Sequence, residues 1–295
     1  MSAAATATST ATVWTIKSLL AWTANYLKDK GIDTPRLEAE LLLAHALVCK
    51  RIDLIVRYDE EPPETARTVF RELVKRRAEH WPTAYLIGLR EFFLLQFEVS
   101  PAVLIPRPDT ETLLMSVLDN VKGSPSILDL GTGSGILAVS LAHKLKTATV
   151  TAVDISPDAL DIAKANAKRH GVQDRVTFLH GDLFAPLPDN VLFDCIVSNP
   201  PYVTSSEWAT LDEEVREHEP KLALDGGPDG LAFYRRIAND AVKYLKPGGL
   251  LCVEIGNTQD ESVRTLFDAA DGLSVVKSVK DAAGRPRVVI ARRDL

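Results

Sequence analysis

The stretch Ile127-Leu128-Asp129-Leu130-Gly131-Thr132-Gly133-Ser134-Gly135 carries a clear structural signal. Its first four residues are mostly apolar, as is typical of a buried strand, and a helical pattern follows from Gly135 to Lys144. Glycines between a strand and a helix let the backbone approach a ligand closely, and the helix N-terminus offers free N–H groups. The stretch therefore predicts a strand, a ligand-binding turn and a helix.

Strand and helix patterns continue to alternate from Ser126 to the C-terminus. The predicted strands are residues 127–130, 149–155, 176–180, 193–198 and 250–255, followed by strand-like runs around 275–279 and 287–291. Ser156-Pro157 is a start signal for the helix before Gly171, which is a stop signal. This alternation predicts an α/β fold with a doubly wound, largely parallel sheet, and the two short final strands predict an antiparallel hairpin at one edge.

The N-terminal part has helical patterns and no strand pattern, which predicts a small helical bundle. We divide the chain into a disordered tail (1–14), the bundle (15–80), a hairpin and linker (81–110) and a ligand-binding domain (111–295). Arg67, Arg71 and Lys75 recur every four residues along the last helix of the bundle. This basic face either grips an acidic partner or RNA, or is a solvated face interleaved with glutamates.

Acidic residues end three successive predicted strands. Asp129 is a carboxylate able to meet a positively charged ligand, and Asp154, 19 residues after Gly135, is placed for a pair of ribose hydroxyls. Asp182 is placed to take an adenine amine. The glycine loop alone could bind NAD, FAD or S-adenosylmethionine, but its G-x-G-x-G spacing is tighter than the dinucleotide pattern and favours S-adenosylmethionine.

The sequence Asn199-Pro200-Pro201-Tyr202 follows the strand at 193–198. Two prolines have no backbone N–H and hold φ near −65°, so the strand cannot continue through them. The result is a stiff loop with one amide side chain, free carbonyls and one aromatic ring, at the edge where open α/β sheets bind ligands. We expect it to hold a planar amide or amine substrate.

Together these motifs look like a class I S-adenosylmethionine-dependent methyltransferase that acts on an amide or exocyclic amine nitrogen. The further motifs are residues 82–88, 105–111, 219–224 and 284–289. With them the chain resembles, from about Ile16 to Arg292, the HemK/PrmC family of peptide-chain release factor glutamine methyltransferases. The resemblance implies a Rossmann-like class I methyltransferase sheet, S-adenosyl-L-methionine as cofactor, and methylation of a glutamine side-chain amide nitrogen in release factors.

The resemblance also implies residue roles. The Asn199 side-chain oxygen would accept one N–H of the substrate amide and the Pro200 carbonyl the other, while Pro201 keeps that carbonyl rigid and Tyr202 packs its ring over the amide. Asn199, Pro200 and Tyr202 are the expected catalytic residues, without a histidine or cysteine base. The expected cofactor-binding residues are Gly131, Thr132, Gly133, Ser134, Gly135, Asp154, Asp182, Leu183 and Asn199. Arg107, Asp109 and Glu111 either close the cofactor pocket or cap a helix and bridge domains.

Charge separates the alternatives. The chain has a net charge of −6, which argues against broad binding to nucleic acid. Residues 15–80 carry 12 Lys and Arg against 11 Asp and Glu, whereas the other residues carry 22 against 29. A methyltransferase of exocyclic amines in DNA or RNA is the first alternative, but it needs a basic groove and a target-recognition insert. A non-catalytic S-adenosylmethionine-binding module is the second, and a dehydrogenase conflicts with the glycine spacing.

Composition bounds the remaining properties. Three widely separated cysteines lack the paired spacing of a disulfide framework or a zinc site, and no run of 18 apolar residues exists. We therefore predict a reduced, cytoplasmic protein with no metal site and no membrane span. We further expect a monomer whose partners are release factors, recognised with help from the helical bundle.

Overall fold

The computed structural model describes residues 13–295. The chain divides into two compact units after Ile87. The predicted tail, residues 1–14, lies outside the described residues except for Val13 and Trp14. The division falls seven residues later than the predicted end of the bundle, because residues 83–87 form a further helix and Leu86 packs in the core of the first unit.

The first unit is a bundle of helices. They are α1 (Ile16–Asp29), α2 (Pro35–Ala46), α3 (Arg51–Val56), α4 (Glu64–Ala78) and α5 (Thr83–Ile87). The Thr15 side chain caps α1 by accepting a hydrogen bond from the Ser18 N–H, and fully buried Leu20 and Leu43 belong to the shared core. The predicted helical bundle thus has its own apolar core.

The second unit contains a hairpin, a large sheet and further helices. Its strands are β1 (Leu89–Phe92), β2 (Leu95–Glu98), β3 (Ser126–Leu130), β4 (Thr149–Asp154), β5 (Val176–His180), β6 (Phe193–Ser198), β7 (Leu245–Glu254), β8 (Leu273–Lys280) and β9 (Pro286–Arg293). Its helices are α6 (Thr110–Asn120), α7 (Ile136–Lys144), α8 (Pro157–Arg169), α9 (Glu213–His218), α10 (Ala232–Tyr244) and α11 (Asp260–Asp268).

The large sheet has seven strands in the order β5-β4-β3-β6-β7-β9-β8. The first five are parallel, and β9 and β8 join β7 as an antiparallel hairpin. The predicted fold class is confirmed, including the antiparallel C-terminal hairpin. A parallel sheet of this kind needs helices on both faces to cover its apolar residues.

Alternation of side chains along each strand produces two cores. On β3, Ile127 belongs to the core that includes α6 and α7, whereas Leu128 and Leu130 belong to the core that includes α10 and α11. The same alternation puts Val197 in the first core and Ile196 in the second. The sheet is therefore buried on both faces, and ligands can reach it at the ends of its strands.

The chain order of the sheet locates that access. The chain runs outward from β3 through β4 to β5, and then returns to β6 on the other side of β3. The carboxyl ends of β3 and β6 thus flank a topological switch point, the usual ligand site of an open α/β sheet. Within residues 13–295, no helix combines the length and apolar character required to cross a bilayer.

Candidate active site

A cavity of about 380 Å³ lies at this switch point, within the usual size of small-molecule sites. It is lined by the turns after β3, β4, β5 and β6 and by residues just before and at the start of α6. The sequence-predicted residues among its lining are Gly131, Thr132, Gly133, Ser134, Asp154, Asp182, Leu183, Asn199, Pro200 and Pro201. The motifs that lie far apart in the chain thus meet around one space.

The glycine loop forms one wall of the cavity. Gly131, Gly133 and Gly135 have φ of +71°, +54° and +81°, conformations that L-residues rarely adopt. Gly135 also lacks room for a side chain, because a Cβ would come within 3.1 Å of the Ala163 Cβ on α8. The glycines therefore allow both the path of the loop and its close packing on a neighbouring helix.

Asp129 lies beneath this loop rather than in the cavity. Its Oδ2 accepts hydrogen bonds from the Thr132 hydroxyl at 2.7 Å and from the Ala138 N–H at 3.1 Å. Its Oδ1 is buried without a hydrogen-bond partner among the described residues, and burial raises the pKa of Asp129 to about 7. Its role in the structure is to tie the loop to α7, which differs from the expected contact with a positively charged ligand.

Asp154 ends β4 and lines the cavity. Its Oδ2 accepts the Gly133 N–H at 2.8 Å and its Oδ1 accepts the Ser156 N–H at 2.9 Å. Burial raises the pKa of Asp154, although these backbone N–H groups counteract the rise. A carboxylate held in this way has lone pairs left for the hydroxyl groups of a ligand.

Asp182 and Leu183 line the cavity after β5. The Asp182 carboxylate accepts a hydrogen bond from the Arg236 guanidinium at 2.8 Å, in an ion pair whose side chains are about half exposed. Leu183 is buried with φ +51°, a strained conformation for a non-glycine residue and one that is enriched at functional sites. The apolar Leu183 side chain and the polar Asp182 carboxylate offer the two contacts that a heterocyclic ring needs.

Asn199, Pro200 and Pro201 form the opposite wall of the cavity. The Asn199 Nδ2 donates to the Thr110 hydroxyl at 3.3 Å. Neither the Asn199 Oδ1 nor the Pro200 carbonyl accepts a hydrogen bond from any described residue. The turn therefore presents two hydrogen-bond acceptors, which suits a ligand that carries an NH₂ group.

Tyr202 anchors this turn from the side of the core. Its ring packs against the core that includes Tyr234 and Ile255, and its backbone carbonyl accepts a hydrogen bond from the Gln259 side chain at 3.1 Å. Burial raises the pKa of Tyr202 to about 12, so the phenol keeps its proton at neutral pH. The expected packing of this ring over a substrate amide stays a prediction.

Polar residues that the sequence analysis did not assign to the site lie behind the same turn. Thr110 and Glu254 are almost completely buried, and the Oε2 atom of Glu254 has no hydrogen-bond partner among the described residues. Glu254 is an acid at the end of an apolar strand, so the signal used for the first three strands could have found it. Thr110 has no such signal, because its role depends on which segments the fold brings to it.

The structure gives different roles to Arg107, Asp109 and Glu111, which were expected either to close the cofactor pocket or to cap a helix and bridge domains. Arg107 lines the cavity and pairs with the Glu219 carboxylate. Asp109 pairs with Arg287 at 2.9 Å, and Glu111 accepts a hydrogen bond from the Phe93 N–H at 3.1 Å. Arg107 is thus a cavity residue, whereas Asp109 and Glu111 hold parts of the second unit together.

The cavity residues fit a nucleoside. The glycine loop leaves a cradle that side chains would fill, Asp154 can accept from hydroxyl groups, and Leu183 adds an apolar contact. Directly beside this cradle, the Asn199 and Pro200 acceptors are positioned for a second group. The geometry therefore suits transfer between a bound nucleoside and an amide or amine.

The chain matches two families and close relatives. Residues 18–88 match the PrmC N-terminal domain family, and residues 108–227 match the methyltransferase small domain family. A solved structure, a methyltransferase from Pyrococcus furiosus, shares the fold with a TM-score of 0.52 and 20% identity, over 69% of this chain and 91% of that one.

Two relatives carry the same name. The release factor glutamine methyltransferase of Rhodopirellula baltica is 46% identical over 96% of this chain and 97% of its own length. The release factor glutamine methyltransferase of Geobacter sulfurreducens is 45% identical over 95% of this chain and 97% of its own length. Identity at this level over almost the whole of both chains means that the protein belongs to the release factor glutamine methyltransferase family.

Proposed function

We propose that the protein transfers a methyl group from S-adenosyl-L-methionine to the side-chain amide nitrogen of a glutamine in peptide-chain release factors. The observation that carries the proposal is a pair of acceptors beside the nucleoside cradle, Asn199 Oδ1 and the Pro200 carbonyl, which accept no hydrogen bond from the described residues. The family relationship supports the identity of the substrate.

The Asn199-Pro200 turn is suited to a reaction whose nucleophile is weak. An amide nitrogen is a weak nucleophile because its lone pair is delocalised into the carbonyl group. Asn199 and Pro200 would each accept one N–H of the substrate amide, which orients the nitrogen and stabilises the positive charge that develops on it. The contribution of the enzyme is thus positioning together with preorganised electrostatics.

The remaining site residues would hold the methyl donor. S-adenosylmethionine supplies an electrophilic methyl group on a sulfonium. The glycines from Gly131 to Gly135 would let the methyl donor come close to the backbone. Asp154 would accept hydrogen bonds from the ribose hydroxyls, and Leu183 and Asp182 would contact the adenine. These roles agree with the lining of the cavity.

The test is to incubate the protein with methyl-labelled S-adenosylmethionine and purified release factor, and in parallel with DNA and with RNA. We expect label in the release factor, and mass spectrometry should find one singly methylated glutamine. The matched control is the same release factor with that glutamine replaced by alanine, which should take up no label. Label in nucleic acid alone would support the alternative enzyme class and refute the proposal.

We also propose that the first unit helps to recognise the release factor. It contains a groove of about 440 Å³ beside the basic face, where Trp22 stacks on Tyr26 with ring centroids 5.1 Å apart. Arg67 is engaged by Glu61 and Glu64, which supports the solvated-face alternative for that residue. Arg71 and Lys75 are exposed and line the groove, and Arg71 has only a long ion pair among the described residues, with Glu64 at 3.8 Å, so these two residues are the candidates for a protein contact.

Charge reversal separates recognition from folding. Arg71→Glu and Lys75→Glu should each raise the KM for the release factor roughly 2- to 5-fold, as expected for exposed charge pairs, without changing kcat. Lys28→Glu, an exposed residue of α1 outside the groove lining, is the control. Equal effects of all three substitutions would argue that only net charge matters.

We further propose that the enzyme works as a cytoplasmic monomer that requires no nucleic acid. The acidic second unit argues against a requirement for nucleic acid, and the absence of paired cysteine spacings in the sequence suits a reducing compartment. Light scattering at assay concentrations, cell fractionation and nuclease treatment of the assay would test the three statements separately.

A further inference from the structure

One buried amide joins the glycine loop to the hairpin of β1 and β2. Asn166 lies on α8 and is 0% exposed. Its Oδ1 accepts the Glu98 N–H at 2.7 Å, and its Nδ2 donates to the Glu98 carbonyl at 3.0 Å and to the Ser134 carbonyl at 2.9 Å. Glu98 ends β2, and Ser134 belongs to the glycine loop. One side chain thus bonds the backbone of two segments that lie far apart in the chain.

These three bonds fix which way the Asn166 amide faces. A carboxamide has two N–H donors and one carbonyl acceptor. Because Glu98 presents both an N–H and a carbonyl, only one orientation of the amide makes both bonds, and in that orientation the second N–H of Nδ2 is directed to Ser134. A carboxylate of the same size could accept the Glu98 N–H but could not donate to either carbonyl. Among side chains of this size, only asparagine makes all three bonds.

Both segments that Asn166 joins lead into the wall of the candidate cavity. Ser134 lines the cavity directly. The chain that leaves β2 makes a turn in which the Ser100 carbonyl accepts the Val103 N–H at 3.0 Å, and residues 102–104 then line the same cavity. The Asn166 side chain is therefore placed to set the spacing between these two parts of the wall.

The neighbouring turn of α8 supports the glycine loop as well. Ala163, three residues before Asn166, is the residue on which Gly135 packs, and a Cβ at Gly135 would come within 3.1 Å of the Ala163 Cβ. Glycines leave a loop conformationally permissive, so neighbouring groups have to hold it in a binding geometry. Packing at Ala163 and a hydrogen bond at Asn166 provide two such supports on one face of α8.

We propose that Asn166 is a positioning residue for the cofactor, which holds the glycine loop and the segment after β2 in the geometry that binds S-adenosylmethionine. Asn166 acts through the Ser134 and Glu98 backbones, without a contact of its own to the ligand. The inference rests on the proposed function for the identity of the ligand, whereas the three hydrogen bonds belong to the chain alone.

Other bonds attach the same hairpin to α8 without involving the glycine loop. The His170 Nε2 lies 2.8 Å from the Gln96 carbonyl, and the Arg169 guanidinium pairs with the Glu98 carboxylate at 3.0 Å. Loss of the Asn166 side chain therefore leaves the hairpin attached to α8 but leaves the Ser134 carbonyl without this donor. A role in holding the hairpin can thus be separated from a role in shaping the loop.

Substitution of Asn166 tests the effect on the cofactor. Asn166→Asp keeps the size and removes both N–H donors, and Asn166→Ala removes all three bonds. We expect each to raise the Kd for S-adenosylmethionine roughly 5- to 30-fold, as expected for loss of buried hydrogen bonds, in calorimetry under conditions where urea unfolding shows the variant to be folded. His170→Ala is the matched control, because it removes a bond to the hairpin and none to the loop, and it should bind like the wild type.

The support of the loop can also be measured without cofactor or reaction. Hydrogen exchange detected by mass spectrometry reports local opening of each segment. The peptide that spans residues 131–137, which contains the bonded N–H groups of Gly133 and Gly135, should exchange slowly in the wild type and in His170→Ala. It should exchange faster in Asn166→Asp and Asn166→Ala, while peptides from β4 stay protected. A role in global stability alone would speed exchange in both regions together.

A measurement on the wild type keeps the proposal testable if neither variant folds. Asn166 is the only fully buried asparagine among residues 13–295, and both of its Nδ2 protons are bonded. In protein labelled with ¹⁵N-asparagine, one pair of side-chain NH₂ signals should therefore exchange slowly at both protons. The lack of such a pair would overturn the proposal.

The outcomes separate this proposal from the proposed function. A wild-type Kd in the folded Asn166 variants, an equal loss of affinity in His170→Ala, or unchanged exchange of the loop would overturn the positioning role. If the wild type itself bound no S-adenosylmethionine while the exchange pattern was as expected, the proposed function would fail and the support of the loop by Asn166 would stand.

Discussion

The glycine loop at residues 131–135 and the Asn199-Pro200 turn lie at the ends of the adjacent strands β3 and β6, but their geometry has different origins. The glycine loop depends on backbone conformation: three glycines with positive φ, and an N–H donated to Asp154. The Asn199 turn depends on side chains from distant segments, including Thr110 on α6 and Gln259 just before α11.

In the proposed function, this difference divides the work of binding and reaction between the two regions. The backbone cradle, encoded within a few residues, would hold a cofactor whose shape does not vary. The Asn199-Pro200 turn, which would have to present particular acceptor atoms, is held by side chains from other elements. We therefore expect damage to the cradle to affect cofactor affinity, and damage to the turn to affect the rate of transfer.

The largest effect should come from Asn199→Ala. It removes an acceptor for the substrate amide, so kcat should fall roughly 10³-fold, at the upper end for loss of one preorganised hydrogen-bonding group. Much of the S-adenosylmethionine affinity should remain, as measured by calorimetry with the cofactor alone. Asn239→Ala, at an exposed position of α10, is the control. If Asn199→Ala kept full activity, the turn would not be the acceptor site.

The two walls also differ in how far sequence predicts them. The glycine spacing, the acid 19 residues later and the Asn-Pro-Pro-Tyr motif are local patterns, and each identified a segment that lines the cavity. The strand and helix alternation also predicted the sheet, because apolar runs separated by helical patterns have few alternative folds.

Contacts between distant segments could not be predicted in this way. Asp129 was expected to meet a ligand, but the fold turns its carboxylate toward Thr132 and Ala138. Thr110 meets Asn199, 89 residues later in the chain, and no local pattern encodes that meeting. The position of the division after Ile87 likewise depends on the packing of Leu86, which a turn signal does not reveal.

One buried acid lies beneath the glycine loop and another lies behind the Asn199-Pro200 turn. Both should contribute to the pH dependence of the unfolding free energy. Burial raises the pKa of Asp129 and that of Glu254 to about 7. The folded state then holds these protons more tightly than the unfolded state, so the free energy of unfolding declines as pH rises from about 4 to 7. The loss is complete above pH 7 and amounts to up to about 3–4 kcal/mol per group.

Urea unfolding of the wild type, Asp129→Asn and Glu254→Gln at pH 5 and pH 8 measures this loss. Each substitution should reduce the difference in unfolding free energy between the two pH values, and the double variant should reduce it further. Asp161→Asn, an exposed residue of α8, should leave the difference unchanged. An unchanged difference in one variant would mean that its acid is ionised at both pH values.

Two alanine substitutions within the glycine loop should separate folding from binding. Gly135→Ala combines a positive φ with crowding against Ala163 and should lower the unfolding free energy by about 2–3 kcal/mol. Gly133→Ala has the φ cost of about 1–2 kcal/mol but meets no described protein atom within 4 Å. We expect Gly133→Ala to lose more cofactor affinity per unit of lost stability, as shown by calorimetry and urea unfolding. The same ratio in both variants would mean that the loop acts only through its fold.

The smallest effect concerns Asp182 and its ion pair with Arg236. If the Asp182 carboxylate accepts the adenine amine, Asp182→Ala should weaken S-adenosylmethionine binding roughly 2- to 10-fold, the range of a single hydrogen bond. Arg236→Ala removes a half-exposed ion pair, worth at most about 1 kcal/mol of stability, and leaves the carboxylate available to the ligand. Calorimetry should therefore find weaker binding in Asp182→Ala than in Arg236→Ala. Equal affinities would assign Asp182 to the ion pair alone, and recognition of the adenine would then depend on Leu183 and the backbone beside it.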